Sequence, residues 1–229
     1  MGRVALGRAS ACALAVLAIA GCGSQSKSTV AGGAPTVSLW VSATASDYRQ
    51  VAAGTKLALA ERGGRAGVFR VNYAGKQVAD DAARATADAV SNARTSLQDT
   101  QAGAVITNVA SAQAEPAITL LNEAGIATVA LGDEALKRVA CSSRSDIYPN
   151  GHETAVVVTD AVPMPLAFRA RFLARLGFTP TDVAWSSYRG ASAVLASLGS
   201  ADVKTDDSPP RLDRDALAAE LVQAHGACA

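Results

Sequence analysis

Residues 102–131 read AGAVITNVASAQAEPAITLLNEAGIATVAL. Ala104 to Thr107 (AVIT) is a short apolar run rich in β-branched residues, which predicts a buried strand. Ala114 to Ala124 (AEPAITLLNEA) has the spacing of a helix. Pro116 is expected in its first turn, where a missing N–H costs nothing. Gly125 stops that helix, and Ile126 to Leu131 (IATVAL) predicts a further strand. Strand, helix and strand in about thirty residues is the size of a βαβ crossover, the unit of parallel sheets.

The rhythm extends upstream. Val37 to Val41 (VSLWV) predicts a strand. Asp47 to Arg62 predicts a helix carrying Val51, Leu57 and Leu59, ended by Gly63-Gly64. Val68 to Tyr73 (VFRVNY) predicts another strand. Gln77 to Gln98 predicts a long helix on Val78, Ala82, Ala85, Ala89 and Ala93. Strands and helices in alternation imply an α/β fold, a parallel sheet with helices on both faces. Three of the four strands are apolar throughout, as strands covered on both faces should be. Ligands of such sheets bind beyond the carboxyl ends of the strands. Those ends are Ser42–Asp47, Ala74–Gln77, Asn108–Gln113 and Gly132–Glu134.

Downstream, Val139 to Glu153 holds loop formers and no periodicity. Ala155 to Thr159 (AVVVT) is a fifth strand candidate. Leu166 to Leu176 predicts a helix with Phe168, Phe172 and Leu176 on one face, closed by Gly177. Val183 to Leu198 predicts another. After a polar loop over Gly199 to Arg211, Asp213 is placed to cap a last helix ending at Ala224.

Composition narrows the function. With 21 basic and 20 acidic residues the chain carries +1, too little to displace counterions from a nucleic acid. Aromatic residues make up 4%, which argues against stacking platforms for single strands. Two histidines in 229 residues make a multi-histidine metal site a poor fit, and no metal or cofactor is expected. A 49% hydrophobic chain of this length can bury a real core.

The N-terminus is an address. Arg3 and Arg8 precede an apolar run from Ala9 to Ala20, too short to span a bilayer. It ends in Ile19-Ala20-Gly21-Cys22, which resembles the lipobox of bacterial lipoproteins. That resemblance implies cleavage before Cys22 and acylation of Cys22. The alternatives are an ordinary secretory signal with a chance cysteine, or an uncleaved anchor. Gly, Ser and Ala dominate the residues that follow, a flexible tether. Cys12 leaves with the signal. Cys141 and Cys228 remain, either bridged in an oxidising compartment or as two free thiols. A bridge would tie down the last helix at about 4 kcal/mol in the chain-entropy model.

Three motifs in order carry a family resemblance. Gly54-Thr55-Lys56-Leu57-Ala58-Leu59-Ala60 with Gly63-Gly64 is similar to the helix that opens type I periplasmic solute-binding proteins. The run Asn108-Val109-Ala110-Ser111, Pro116-Ala117 and Leu121 to Ile126 resembles the core of their branched-chain amino-acid-binding group. Phe168, Phe172, Gly177-Phe178, Pro180, Tyr188 and Ala191 resemble that group's late helices. The resemblance implies a leucine-binding-like, extracytoplasmic lipoprotein that delivers an amino acid or similar solute to an ABC importer. It departs from the family where a second lobe belongs: only Lys137 to Leu166 joins the matched regions. The chain thus reads as one lobe completed by its own late helices, the alternative being a compressed second lobe. The expected organisation is a signal peptide (1–22), a tether (23–36), a βαβ core (37–138), a connecting segment (139–165) and completing helices (166–229).

The same resemblance implies the site. Ser111 matches the family's ligand serine and could offer hydroxyl and amide to a carboxylate beside Ala110; alternatively it only caps its helix. Gly132 lets a ligand approach main chain. Glu134 meets an ammonium group or is a solvated turn carboxylate. Tyr48, next to Asp47, stands near the position of a cleft aromatic. A single jaw would hold a zwitterion weakly, because small ligands are normally 70–90% buried. The alternative function is therefore a ligand-poor derivative acting as a protein-interaction module. No enzyme is expected. His152 in Gly151-His152-Glu153 lacks the P-C-x-x-C partner of a deaminase, no nucleophile elbow or phosphate loop is present, and His225 reads as a solvated helix end.

Overall fold

The computed structural model describes residues 34–132, 155–159, 162–200, 205–207 and 210–225. Glu134, Cys22, Cys141, Cys228 and His152 lie outside the described residues, as do the side chains of Ser111 and His225.

The elements are β1 (Thr36–Thr44), α1 (Tyr48–Glu61), β2 (Arg65–Ala66), β3 (Phe69–Val78), α2 (Ala82–Gln98), β4 (Ala102–Thr107), α3 (Ser111–Glu123), β5 (Ala127–Gly132), β6 (Ala155–Thr159), α4 (Leu166–Leu176), α5 (Asp182–Ser197) and α6 (Arg214–His225). They build one six-stranded sheet in the order β2-β3-β1-β4-β5-β6. Every pairing is parallel except β2 with β3. The fold is the expected single α/β lobe.

Side-chain alternation divides the core. Leu39, Val41, Ile106, Val129 and Leu131 point to the face covered by α1, α5 and α6, where they meet Val51, Val194, Leu195, Leu217 and Leu221. Val105, Ala130 and Ile126 point to the other face, against Ala85, Ala89 and Ala93 of α2 and Ile118 and Leu121 of α3. Helix α4 forms an outer layer, with Phe168 and Phe172 seated on Ala53 and Leu57 of α1 and Ala184 of α5. The late helices pack on the same sheet that β1 organises.

Several boundaries differ from the sequence expectation. Strand β3 continues to Val78, so residues read as the start of α2 are strand. Lys76 and Gln77 are exposed there, and that polarity hid the strand. Helix α2 begins after Asp81, whose carboxylate accepts from the Ala83 amide at 2.9 Å. Strand β2 was not expected: the Gly63-Gly64 stop leads into a two-residue strand, with Gly63, Gly64 and Gly67 all at positive φ. Helix α3 begins at Ser111, which places Pro116 inside the helix. The missing N–H of Pro116 removes an intrahelical bond rather than sparing an orphan.

Asp213 caps α6 as expected, accepting from the Ala216 amide at 3.0 Å. Asp213→Ala is expected to cost ~1 kcal/mol, measured by urea unfolding. Arg214 beside it reaches the carbonyls of Ala102, Asp99 and Thr100, pinning α6 to the start of β4.

Asp99 accepts from the Trp40 indole at 2.9 Å and from the Gln101 amide. Burial opposes its charge, but the bonds from Trp40, Gln101 and Ser38, with the Arg214 charge nearby, outweigh that and hold its carboxyl below the usual range. A lowered carboxyl contributes stability that is complete above its unfolded value near pH 4 and is lost as pH falls through the lowered folded value. Asp99→Asn should therefore be less stable than the parent at neutral pH. The gap should close as urea melts are repeated below about pH 4.

Candidate functional site

The order β3-β1-β4 contains the topological switch. Helix α1 carries the chain from β1 to β3 on one side, and α2 carries it back across β1 to β4 on the other. Beyond the carboxyl ends of β1 and β4 the chain diverges, through α1 toward β3 and through α3 toward β5, and sheets of this order bind ligands at such a switch point. The loops 45–47 and 108–110 and the first turns of α1 and α3 face this edge.

Asn108 ties the carboxyl ends of β1 and β4 together. Its amide donates to the Ser42 carbonyl at 3.3 Å. Its side-chain oxygen accepts from the Thr44 amide at 3.1 Å, and its nitrogen donates to Asp47 at 3.0 Å. Asp47 precedes α1 but makes no side-chain cap bond there; its carboxylate serves the β4 loop instead. One residue earlier, Ser46 gives both its amide (3.0 Å) and its hydroxyl (2.8 Å) to Asp80, from the loop after β3. These two bonds hold the exposed Asp80 carboxyl below its ordinary value.

The expected site residues divide by position. Ala110 is exposed at the head of α3, and its carbonyl accepts from the Gln113 and Ala114 amides. It offers no side-chain cap. Ser111 is the first helical residue rather than the cap. The opening amides of α3 have no partner within the helix and carry its positive dipole end toward the edge. Gly132 ends β5 at φ 154, a backbone setting suited to glycine. Ala110, Ser111 and Gly132 therefore stand on adjacent strand ends.

Tyr48 stands apart from them, on the β3 side of β1. It is half-buried, and its hydroxyl accepts from Tyr73 at 3.1 Å. A Cβ on Gly75 would lie 2.6 Å from that oxygen, so glycine there is what lets the pair form. Burial, with the Tyr48 bond second, pushes the Tyr73 phenol upward. Among the described residues no group of three His, Cys, Asp or Glu side chains is placed to hold a metal ion.

Ser46, Asp80 and the bridging role of Asn108 were not anticipated. The available signal was polar residues directly after apolar strands; their pairings span 34 and 61 positions in sequence.

The sequence matches no family model and no curated protein. Solved structures do resemble the fold. A Rhodospirillum rubrum protein assigned as a branched-chain amino acid ABC transporter aligns with TM-score 0.56 at 12% identity, over 82% of this chain and 89% of that one. An ABC transporter substrate-binding protein of Desulfitobacterium hafniense, in complex with Leu, aligns with TM-score 0.56 at 13% identity over the same shares. A second structure under that description, from the same organism, gives 0.55 at 12%. The two Desulfitobacterium hafniense neighbours are described as substrate-binding proteins of ABC transporters. The chain shares an α/β fold with the neighbours, here built as a single lobe.

Proposed function

We propose that this chain is an extracytoplasmic solute-binding lipoprotein, anchored through Cys22 and serving an ABC importer, with an amino acid or similar small polar solute as ligand. The observation that carries the reading is the sheet order, which puts the α3 N-terminus and Gly132 on one edge in a fold shared with a leucine complex. A solute carboxylate would meet the amides of Ala110 and Ser111, where the helix dipole favours negative charge. Glu134 is assigned to an ammonium group, and Tyr48 to the opposite rim. Cys141 and Cys228 are proposed as a bridge that fastens the C-terminus.

Membrane attachment is assigned to the lipid on Cys22; no helix among the described residues is long and apolar enough to cross a membrane. Intact-mass analysis of the membrane-extracted protein tests this: acylated Cys22 as the first residue supports it, and an unmodified N-terminus contradicts it.

One observation favours the second reading, a ligand-poor interaction module. Ser46 spends both donors on Asp80, and the Asn108 side chain is spent on Asp47 and Thr44. Thermal-shift screening with the common amino acids separates the readings. Stabilisation by any of them supports solute binding, and none across the set supports the module.

A further inference from the structure

Helix α4 (LAFRARFLARL) carries three arginines and no acidic residue. At 100° per residue its two apolar stripes lie on opposite sides. Phe168 and Phe172 face inward and are buried. Leu166, Ala170 and Leu173 face outward; Leu166 is 81% exposed and Leu173 49%. Arg169 borders this outer stripe on one side and Arg171 flanks it on the other, while Arg175 lies nearer the inner face beside Phe168. Glu61 answers part of that charge through Arg171, at 3.5 Å.

We propose that the outer face of α4 rests on an anionic phospholipid surface. Apolar side chains flanked by arginines, on a helix lying along the protein surface, match the chemistry of a headgroup–acyl boundary. The leucines enter, while the arginine stems lie along the apolar layer and their heads reach phosphate. The short chain before the fold supports this occupant. The inference rests, in this respect only, on the proposed anchor at Cys22. The thirteen residues that follow Cys22 through Pro35 can reach at most roughly 45 Å. The lobe thus stays beside the bilayer, where a weak surface affinity suffices.

The test uses the full chain with Cys22→Ser, so that no acyl group is present. It is sedimented with phosphatidylcholine vesicles with and without about 30% phosphatidylglycerol. The N-terminal run, with Arg3 and Arg8, itself favours anionic vesicles, so the readout is the part of the anionic excess that substitutions in α4 remove. We expect a clear excess, removed by about 0.5 M salt. It should fall about fivefold for each arginine lost in Arg169→Gln/Arg171→Gln, and fall also in Leu166→Ser/Leu173→Ser. Hydrogen exchange should slow in α4 on the anionic vesicles. Both pairs are exposed, and unchanged melting shows that the variants fold. Equal binding to the two vesicle types overturns the proposal, as does an excess that survives these substitutions or protection away from α4. Failure of the anchor itself would appear separately, as an unmodified Cys22 in the native protein.

Discussion

Replacing Phe172 by alanine is expected to destabilise the protein by ~3–5 kcal/mol, the range for deleting a fully buried aromatic ring. Phe172 is completely buried. Its ring lies 5.6 Å from Phe168 and meets Phe178 edge-on at 5.1 Å. Phe168 in turn contacts Trp185 and Tyr188 at 4.8 and 5.0 Å. Removing one ring leaves a cavity in a cluster whose other members are too rigid to fill it. Arg49, stacked 4.0 Å over Phe178, loses its support as well. In a domain of this size, 1 kcal/mol moves the midpoint by ~2–4 °C. The melting temperature should therefore drop by roughly 6–20 °C. A melting temperature within a degree of the parent's would mean that α4 is not integrated with the lobe.

The second large effect is expected at Gly54. A Cβ there would lie 2.2 Å from the Ala184 carbonyl oxygen and 3.1 Å from the Tyr188 amide nitrogen, both backbone atoms of α5. Helices α1 and α5 touch along a seam of small residues. Buried Thr55 and Ser187 share a 2.8 Å hydroxyl bond, and Ser187 donates to the Val51 carbonyl at 2.7 Å. Alanine would gain ~1 kcal/mol in helix propensity. That gain is outweighed, because backbone cannot rotate away as a side chain can. Prising the helices apart also breaks the hydroxyl bonds and leaves buried groups unpaired, at ~1–3 kcal/mol each. A net loss of ~2–4 kcal/mol is expected for Gly54→Ala in urea unfolding. This substitution reports on the architecture directly. It joins an early helix to a late one, so an unchanged or raised stability would contradict their packing on one sheet.

The sheet was legible in the sequence wherever strands are covered on both faces. β4 is buried throughout, β5 in all but its last residue and β1 in most of its length, and all three are largely apolar. β3 is covered less completely, its polar second half Ala74 to Val78 carrying exposed Lys76 and Gln77. Its polarity there looks like a helix start, and periodicity could not separate the two. Two-residue β2 has no pattern to read. Pro116 was misplaced because the helix begins three residues earlier, at Ser111, through backbone bonds to the Ala110 carbonyl that no side chain announces.

The candidate site was legible as a location and not as a network. Strand ends can be counted from sequence, which brings Ala110, Ser111 and Gly132 to one edge. The Asn108–Asp47 and Ser46–Asp80 pairs depend on which strands become neighbours, and β1 takes β3 on one side and β4 on the other. Nothing local encodes that choice. The same holds for Tyr48, whose hydroxyl partner Tyr73 lies on a strand 25 residues on. Its place beside Tyr73 depends on Gly75 being too small to obstruct it.

Titration of the isotope-labelled protein with L-leucine, followed by amide NMR shifts, tests the central claim that one lobe meets a solute at this edge. The account predicts shifts gathered at residues 45–48, 108–111 and Gly132. They should saturate with a dissociation constant of about a millimolar, as half a clamp allows. Leucine that leaves those amides unmoved, or that shifts a cluster elsewhere on the sheet, would contradict it.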